Sequence, residues 1–491
     1  MKLFTIGDSI SQGFMSGAAA RTDLSYSSII ADNMNIAGYT IPSWPAGGLP
    51  VNLEDIFRAL VKRYGSSLNL IEWALAIGTI NNVIDKSEDY YERGAGGEWN
   101  KYPGGANFFN NVSVRGFTVA DSWQLTPQIC KNIIADADKK EGGDGLLFAM
   151  ADAPLHRTAL KVLNPQLKTT LDNYSQLKWL EKHATGEGVE NLVLWLGANN
   201  ALGTVLDLKI NYTPGDPANP VVNLDYMTRH SKNYNLWHPE DFKAEYKILL
   251  DKIDDIMNRN TSADAKVFVG TVPLVTIVPL AKGVGDTYKV TIVNEANEKE
   301  DVTYFKYYTY VPFEEDFAQS TGKHLTMQDA VHIDNCIREY NRTIKQMVAQ
   351  RNAVLGKERY HIVDIAKALN DMAYKRNDGN PRYDFPGYFD FVYPKVNTKY
   401  YHADQDGSLK QGGVFSLDGV HPTAIGQGLI AYEFLKVMKA AGVVGAAPDT
   451  LIWDAIFKND ALYKSPITLM HEIYGHDRLA EFFINVVSRL F

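Results

Sequence analysis

Lys2-Leu3-Phe4-Thr5-Ile6-Gly7-Asp8-Ser9-Ile10-Ser11-Gln12-Gly13 is the stretch from which the fold can be read. The short apolar run Leu3–Ile6 predicts a buried strand. Gly7-Asp8 ends it, and Ser9 stands where the chain turns out of the strand. Open α/β sheets place their sites beyond the carboxyl ends of strands. Ser9 is therefore a nucleophile candidate, although a serine in such a turn also serves as a helix cap. Ser11 is its neighbouring competitor and reads as a helix-start or turn residue.

The partner for such a serine stands near the other end of the chain. Asp418-Gly419-Val420-His421-Pro422-Thr423 precedes a helix-like run, Ala424–Ala441. A serine hydroxyl is a poor nucleophile at neutral pH until a base takes its proton, and histidine suits that task. An aspartate three residues before the histidine can reach the far side of the imidazole and fix its tautomer. Alone, Asp-Gly is a turn signal and His-Pro an ordinary turn. Together with Ser9 they read as a Ser-His-Asp set.

Between these ends, short β-rich runs alternate with longer helical ones, which predicts α/β architecture with a central parallel sheet. The candidate strands are Lys2–Ile6, Asn111–Val114, Asn191–Leu196, Lys266–Val272 and His361–Val363. The candidate helices are Ser122–Lys139, Pro239–Arg259, Val331–Arg351 and the run after Pro422. In the second helix Phe242, Tyr246, Leu249, Leu250, Ile253 and Ile256 share one face. Ser9 and His421 must meet, so one domain spans residues 1–446. Insertions fall at about 15–105, 205–238, 282–323 and 377–413, long enough for lids or binding loops. Within the third, Tyr288–Val293 and Val302–Phe305 predict a β-hairpin. Residues 447–491 read as a helical extension docked on the body. Its end, Leu479–Phe491, has an amphipathic face that suits docking, a partner or a membrane surface.

Acyl transfer also needs donors for an oxyanion. Leu194-Trp195-Leu196-Gly197-Ala198-Asn199-Asn200 puts a glycine and an amide side chain at a strand end. Asn111–Ser122 puts Gly116 just after another strand, with Thr118–Ser122 fitting a helix start. Pro45-Ala46-Gly47-Gly48-Leu49-Pro50 is a rival source of the backbone donor.

These four blocks, Gly7–Gly13, the stretch ending Arg115-Gly116-Phe117-Thr118, Gly197–Asn200 and Asp418–Thr423, together resemble the SGNH hydrolase superfamily, the GDSL esterases and lipases. They follow the family's order and span most of the chain. The resemblance implies a flavodoxin-like three-layer α/β/α sandwich with strand order 2-1-3-4-5. It implies Ser9 as nucleophile, His421 as base and Asp418 as its orienting partner. It also implies an oxyanion hole of Ser9 N–H, Gly116 N–H and the Asn199 side chain. One departure stands out: the family's third block usually ends Asn-Asp, whereas here it is Asn199-Asn200. An amide cannot supply the charge an aspartate would give the site's surroundings.

Composition narrows the partners. The 491 residues carry a net charge of −9 and have a pI near 5.7, which argues against nucleic acid. Cys130 and Cys336, the only cysteines, make no disulfide framework. No apolar run reaches a membrane span. No secretory leader is legible, so a cytoplasmic setting is the expectation, or a secreted one if a leader has been removed. His471-Glu472-Ile473-Tyr474-Gly475-His476 mimics a zinc motif, but its histidines stand five apart rather than four. No phosphate-cradling loop or dinucleotide fingerprint is present, so neither metal nor cofactor is expected. Trp99, Tyr102, Tyr307, Tyr308, Tyr310 and Tyr400 either line an acyl or sugar site or anchor core and loops. The expected activity is carboxylic ester hydrolysis through an acyl-enzyme on Ser9. Glycan O-deacetylation or thioester hydrolysis by the same residues is the enzymatic alternative. A binding protein on this scaffold is the competing class.

Overall fold

Leu3–Gly7 forms β1, buried along its whole length. A parallel strand covered on both faces needs no polar alternation, so Leu3, Phe4 and Ile6 run almost continuously. The computed structural model describes residues 1–93, 106–139 and 150–475. Within them β1 joins β2 (Asn191–Trp195), β3 (Lys266–Gly270) and β4 (Tyr360–Val363) in a parallel sheet, ordered β1-β2-β3-β4. Gly7 pairs with Trp195, Leu194 with Val269, and Val363 with Gly270. The carboxyl ends of all four strands thus open toward one edge of the sheet.

The outer side of β1 is lined by residues 110–114. Thr5 N–H donates to Asn110 O at 2.9 Å, Val112 N–H to Thr5 O at 3.0 Å, and Val114 N–H to Gly7 O at 3.2 Å. Gln176 Nε2 ties both runs together through Gly7 O and Val112 O. The strand expected over Asn111–Val114 is reduced to a single parallel bridge, Thr5 with Asn111. Asn111 Oδ1 takes the Ser113 N–H at 3.0 Å, closing the outer edge locally instead of extending it.

Helices flank the sheet: α1 (Ser9–Gln12), α2 (Tyr26–Asn33), α3 (Pro239–Met257), α4 (Met327–Leu355), α5 (Ile365–Met372) and α6 (Ala424–Ala440) among them. α2 packs on α6, with Tyr26 stacked on Phe434 at 4.9 Å between ring centres. α3 packs on α4, with Phe242 stacked on Tyr340 at 4.0 Å. Such ring pairs add about 0.5–1.5 kcal/mol beyond their area burial. α4 starts at a capping box: Thr326 Oγ1 accepts the Asp329 N–H, and Asp329 Oδ2 accepts the Thr326 N–H.

The single helix expected over Ser122–Lys139 is two, Asp121–Gln124 and Pro127–Asp138. Pro127 drives Thr126 into an extended conformation and then sits comfortably in the first turn of the next helix. The predicted hairpin is present and longer than read, with Ala281–Val293 antiparallel to Lys299–Tyr310. Phe14–Met15, Ala18–Ala19 and Leu49–Pro50 form a small antiparallel sheet.

The extension docks on the body as far as it is described. Trp453–Asn459 packs on α6, Asp460 Oδ2 accepts the Ile425 N–H at 3.0 Å, and Tyr401 Oη donates to Leu462 O at 3.0 Å. The Leu479–Phe491 face, Trp99, Tyr102 and His476 lie outside the described residues. Among the described residues no helix is long and apolar enough to cross a membrane.

Candidate active site

The turn from β1 into α1 fixes the nucleophile candidate. A Cβ at Gly7 would stand 2.2 Å from Ser11 Oγ and 3.0 Å from Trp195 O, so this position admits no side chain. Asp8 caps α1, its Oδ1 accepting the Ile10 N–H at 3.1 Å. Burial pushes the Asp8 carboxyl up to about 7. Ser9 follows as the first residue of α1. Ser11 is fully buried and bonds the Tyr26 hydroxyl at 2.7 Å. It lies inside the short helix α1, which fits the helix-start alternative of its reading as a helix-start or turn residue.

His421 reaches Ser9 across 412 residues of chain, with Nε2 2.9 Å from Oγ. Its Nδ1 stands 3.1 Å from Asp418 Oδ2. The Asp418 carboxylate is fully buried and well supplied with donors. Oδ1 accepts the N–H groups of Val420 and His421 at 2.9 and 2.8 Å, and Oδ2 also accepts the Gly17 N–H at 2.9 Å. Desolvation alone would raise its pKa. The imidazole charge and the bonds from His421 and Val420 outweigh that and hold the carboxyl below its ordinary value.

Packing holds the two ends of the chain in place. Gln427, on α6 just past His421, donates to Ile10 O at 3.0 Å and accepts the Tyr26 N–H at 2.9 Å. The Phe14 ring tilts against the His421 imidazole, 4.6 Å between centres. The Arg115 guanidinium lies 5.2 Å from the centre of the Phe14 ring.

Gly116 and Asn199, two of the three expected oxyanion donors, occupy adjacent turns. Residues 114–117 form a turn in which Phe117 N–H donates to Val114 O at 3.4 Å. Gly116 has φ +74°, and a Cβ there would meet Leu155 Cδ1 at 2.8 Å. Glycine fits on both counts. The preceding Arg115 N–H donates to Gln12 Oε1 at 3.0 Å, which ties this turn to the helix of Ser9. Asn199 lies in the turn after β2, and its Nδ2 donates to Phe117 O at 3.0 Å. Both Gly116 and Asn199 are half-buried. Of the rival glycines, Gly48 donates its backbone N–H to Pro45 O at 3.1 Å. Gly48 O accepts from Ser87 Oγ, Pro45 O from Tyr91 Oη, and Leu49 pairs with Ala19.

Asn200, which cannot supply an aspartate's charge itself, bonds a buried carboxyl group. Its Oδ1 accepts the Val119 N–H at 3.1 Å, and its Nδ2 donates to Glu245 Oε2 at 3.1 Å. Trp237 Nε1 holds the other carboxylate oxygen at 2.8 Å. Burial raises Glu245 to about 7. The signal for it was present: an acidic residue on the apolar face of Phe242, Tyr246 and Leu249. His471 Nδ1 bonds Thr468 O at 2.7 Å, and no group of three or more potential metal ligands occurs among the described residues. Both cysteines are buried thiols.

Compared with family models, curated proteins and solved structures, the chain finds no match.

Proposed function

We propose that this protein is a serine hydrolase of carboxylic esters, of the SGNH type. The observation that carries the reading is the linear contact Ser9 Oγ–His421 Nε2 at 2.9 Å and His421 Nδ1–Asp418 Oδ2 at 3.1 Å. A purely structural histidine has no need of a serine on one nitrogen and a buried carboxylate on the other.

In this reading Ser9 Oγ attacks the ester carbonyl carbon as His421 Nε2 takes its proton. Asp418 keeps Nδ1 protonated and stabilises the imidazolium that forms. The Ser9 and Gly116 N–H groups and Asn199 Nδ2 receive the tetrahedral oxyanion. Collapse breaks the bond to the alcohol oxygen, which His421 protonates. Water then attacks the acyl-Ser9 ester with His421 again as base, releasing the acid and restoring Ser9.

Two features support the finer assignments. The 110–114 run bonds the outer side of β1, where strand order 2-1-3-4-5 of a flavodoxin-like three-layer sandwich would put its edge strand. Gly116 is preferred to Gly47 or Gly48 because its turn is bonded to Gln12 of the Ser9 helix.

The direct test is hydrolysis of p-nitrophenyl acetate by the wild type and Ser9→Ala. The variant is expected to stay folded and turn over at the buffer background rate. Equal rates would remove Ser9 from the mechanism.

A further inference from the structure

The insertion at 205–238 brings one cation to the turns of Gly116 and Asn199. Arg229, on the short helix Tyr226–Ser231, is 4% exposed. Its Nη2 donates to Asp121 Oδ1, and its Nη1 stands 3.6 Å from Oε1 of Glu245 on α3. Both carboxylates are buried, and among the described residues Arg229 is the one cation paired with either. A guanidinium's planar fork holds two carboxylates in fixed directions, which the single ammonium of a lysine does not.

Each carboxylate is bonded in turn to the oxyanion turns. Asp121 Oδ2 accepts the Thr118 N–H and the Thr118 hydroxyl, both at 2.8 Å. Glu245 Oε2 accepts from Asn200 Nδ2, and Asn200 Oδ1 accepts the Val119 N–H, both at 3.1 Å. Trp237, also of the insertion, closes the ring. Its Nε1 donates to Glu245 Oε1 at 2.8 Å, and its backbone N–H to Asn200 O at 2.9 Å. The turns need such bracing, because each contains a glycine with positive φ, Gly116 at +74° and Gly197 at +126°. The Asn199 Nδ2 bond to Phe117 O uses one of two amide hydrogens and leaves the other for an oxyanion. Such donors are effective when they are already aimed and need not reorient during the reaction.

We propose that Arg229 is a positioning residue for the oxyanion hole. By pairing with Asp121 and Glu245 it fixes the turns that aim Gly116 N–H and Asn199 Nδ2. The role rests on the esterase reading and gives the 205–238 insertion a part in it.

Steady-state hydrolysis of p-nitrophenyl acetate by the full chain tests this, with Arg229→Lys placed in the wild-type and Asn199→Ala backgrounds. Lysine keeps one charge between the carboxylates and loses the fork. In the wild-type background the substitution is expected to lower kcat about tenfold or more with KM within about twofold, since a small misplacement of an aimed group costs up to about 10²-fold. In the Asn199→Ala background the aimed amide is gone, and the same change is expected to cost at most about threefold. Thr118→Val breaks one bond of the same chain without touching a charge. It is expected to lower kcat several-fold with the same contraction, and it decides the matter if Arg229→Lys fails to fold. Equal fold-losses in the two backgrounds, or an unchanged kcat in a folded variant, would overturn the proposal. Wild-type protein no faster than Ser9→Ala would instead sink the esterase reading, and the proposal with it.

Discussion

Gly17 donates its backbone N–H to Asp418 Oδ2 at 2.9 Å, on the same oxygen that faces His421 Nδ1. The loop just past Ser9 thus holds the carboxylate that contacts His421, the orienting residue of the proposed mechanism. Ser16 reinforces the seam, its N–H donating to Ser416 Oγ at 2.8 Å.

Asp418→Asn tests that orienting role. An amide can present its N–H to Nδ1 and stabilise the wrong tautomer, so kcat is expected to fall about 10³–10⁴-fold with the fold retained. The native carboxyl titrates below its unfolded value of about 3.8. Its stabilisation is therefore complete above that value and lost as pH falls through the folded one. Melting curves of wild type and variant are expected to differ at pH 7 and converge in acid.

Asn199→Ala removes a side-chain donor from a half-buried position. If Asn199 Nδ2 holds the oxyanion, kcat falls about 10²–10³-fold while KM changes little. Steady-state kinetics on a short p-nitrophenyl ester measure the split. An equal loss in 1/KM would mark Asn199 as a ground-state contact instead.

Placing at position 200 the aspartate that the SGNH block usually carries is expected to harm this chain. Asn200 is fully buried, and Asn200→Asp would set a second carboxylate against Glu245 Oε2, now 3.1 Å from the amide nitrogen. Losing the bond and pairing like charges predicts destabilisation of about 2–4 kcal/mol at pH 8. Adding Glu245→Gln is expected to recover much of it. Urea unfolding of the two single variants and the double variant completes the cycle.

Asp8 supplies a stability slope of opposite sign to that of Asp418. Its folded-state value near 7 lies above the unfolded 3.8, so the folded protein retains a proton that the unfolded chain loses. Stability then falls as pH rises from about 4 to 7 and levels off above. Asp8→Asn keeps an acceptor for the Ile10 N–H without a charge. Between pH 5 and pH 8 it is expected to gain on the wild type by on the order of 3 kcal/mol. A pH-independent difference in Tm would contradict this.

Both ends of the site were legible because each combines a local pattern with a chemical one. A buried strand followed by Gly-Asp-Ser gives a position as well as a candidate nucleophile, and Asp418 with His421 gives a spacing as well as a candidate base. The parallel strands β2, β3 and β4 were readable for the same reason, as continuous apolar runs. Residues 110–114 were less so, because their pairing depends on Gln176 and on Asn111's own side chain. The break at Pro127 followed a local rule that the helical periodicity on either side masked. Gly17 and Gln427 were not legible as site residues. Their partners stand far away in sequence, and nothing local distinguishes an amide or carboxylate that will meet them.

The central claim is that Ser9 is a nucleophile activated by His421. It is tested most directly by mass spectrometry of the intact and the digested protein after treatment with a fluorophosphonate. One adduct is predicted, on the peptide containing Ser9, absent in Ser9→Ala and formed far more slowly in His421→Ala. Folded wild-type protein that takes up no label, or takes it up at another residue, would contradict the account.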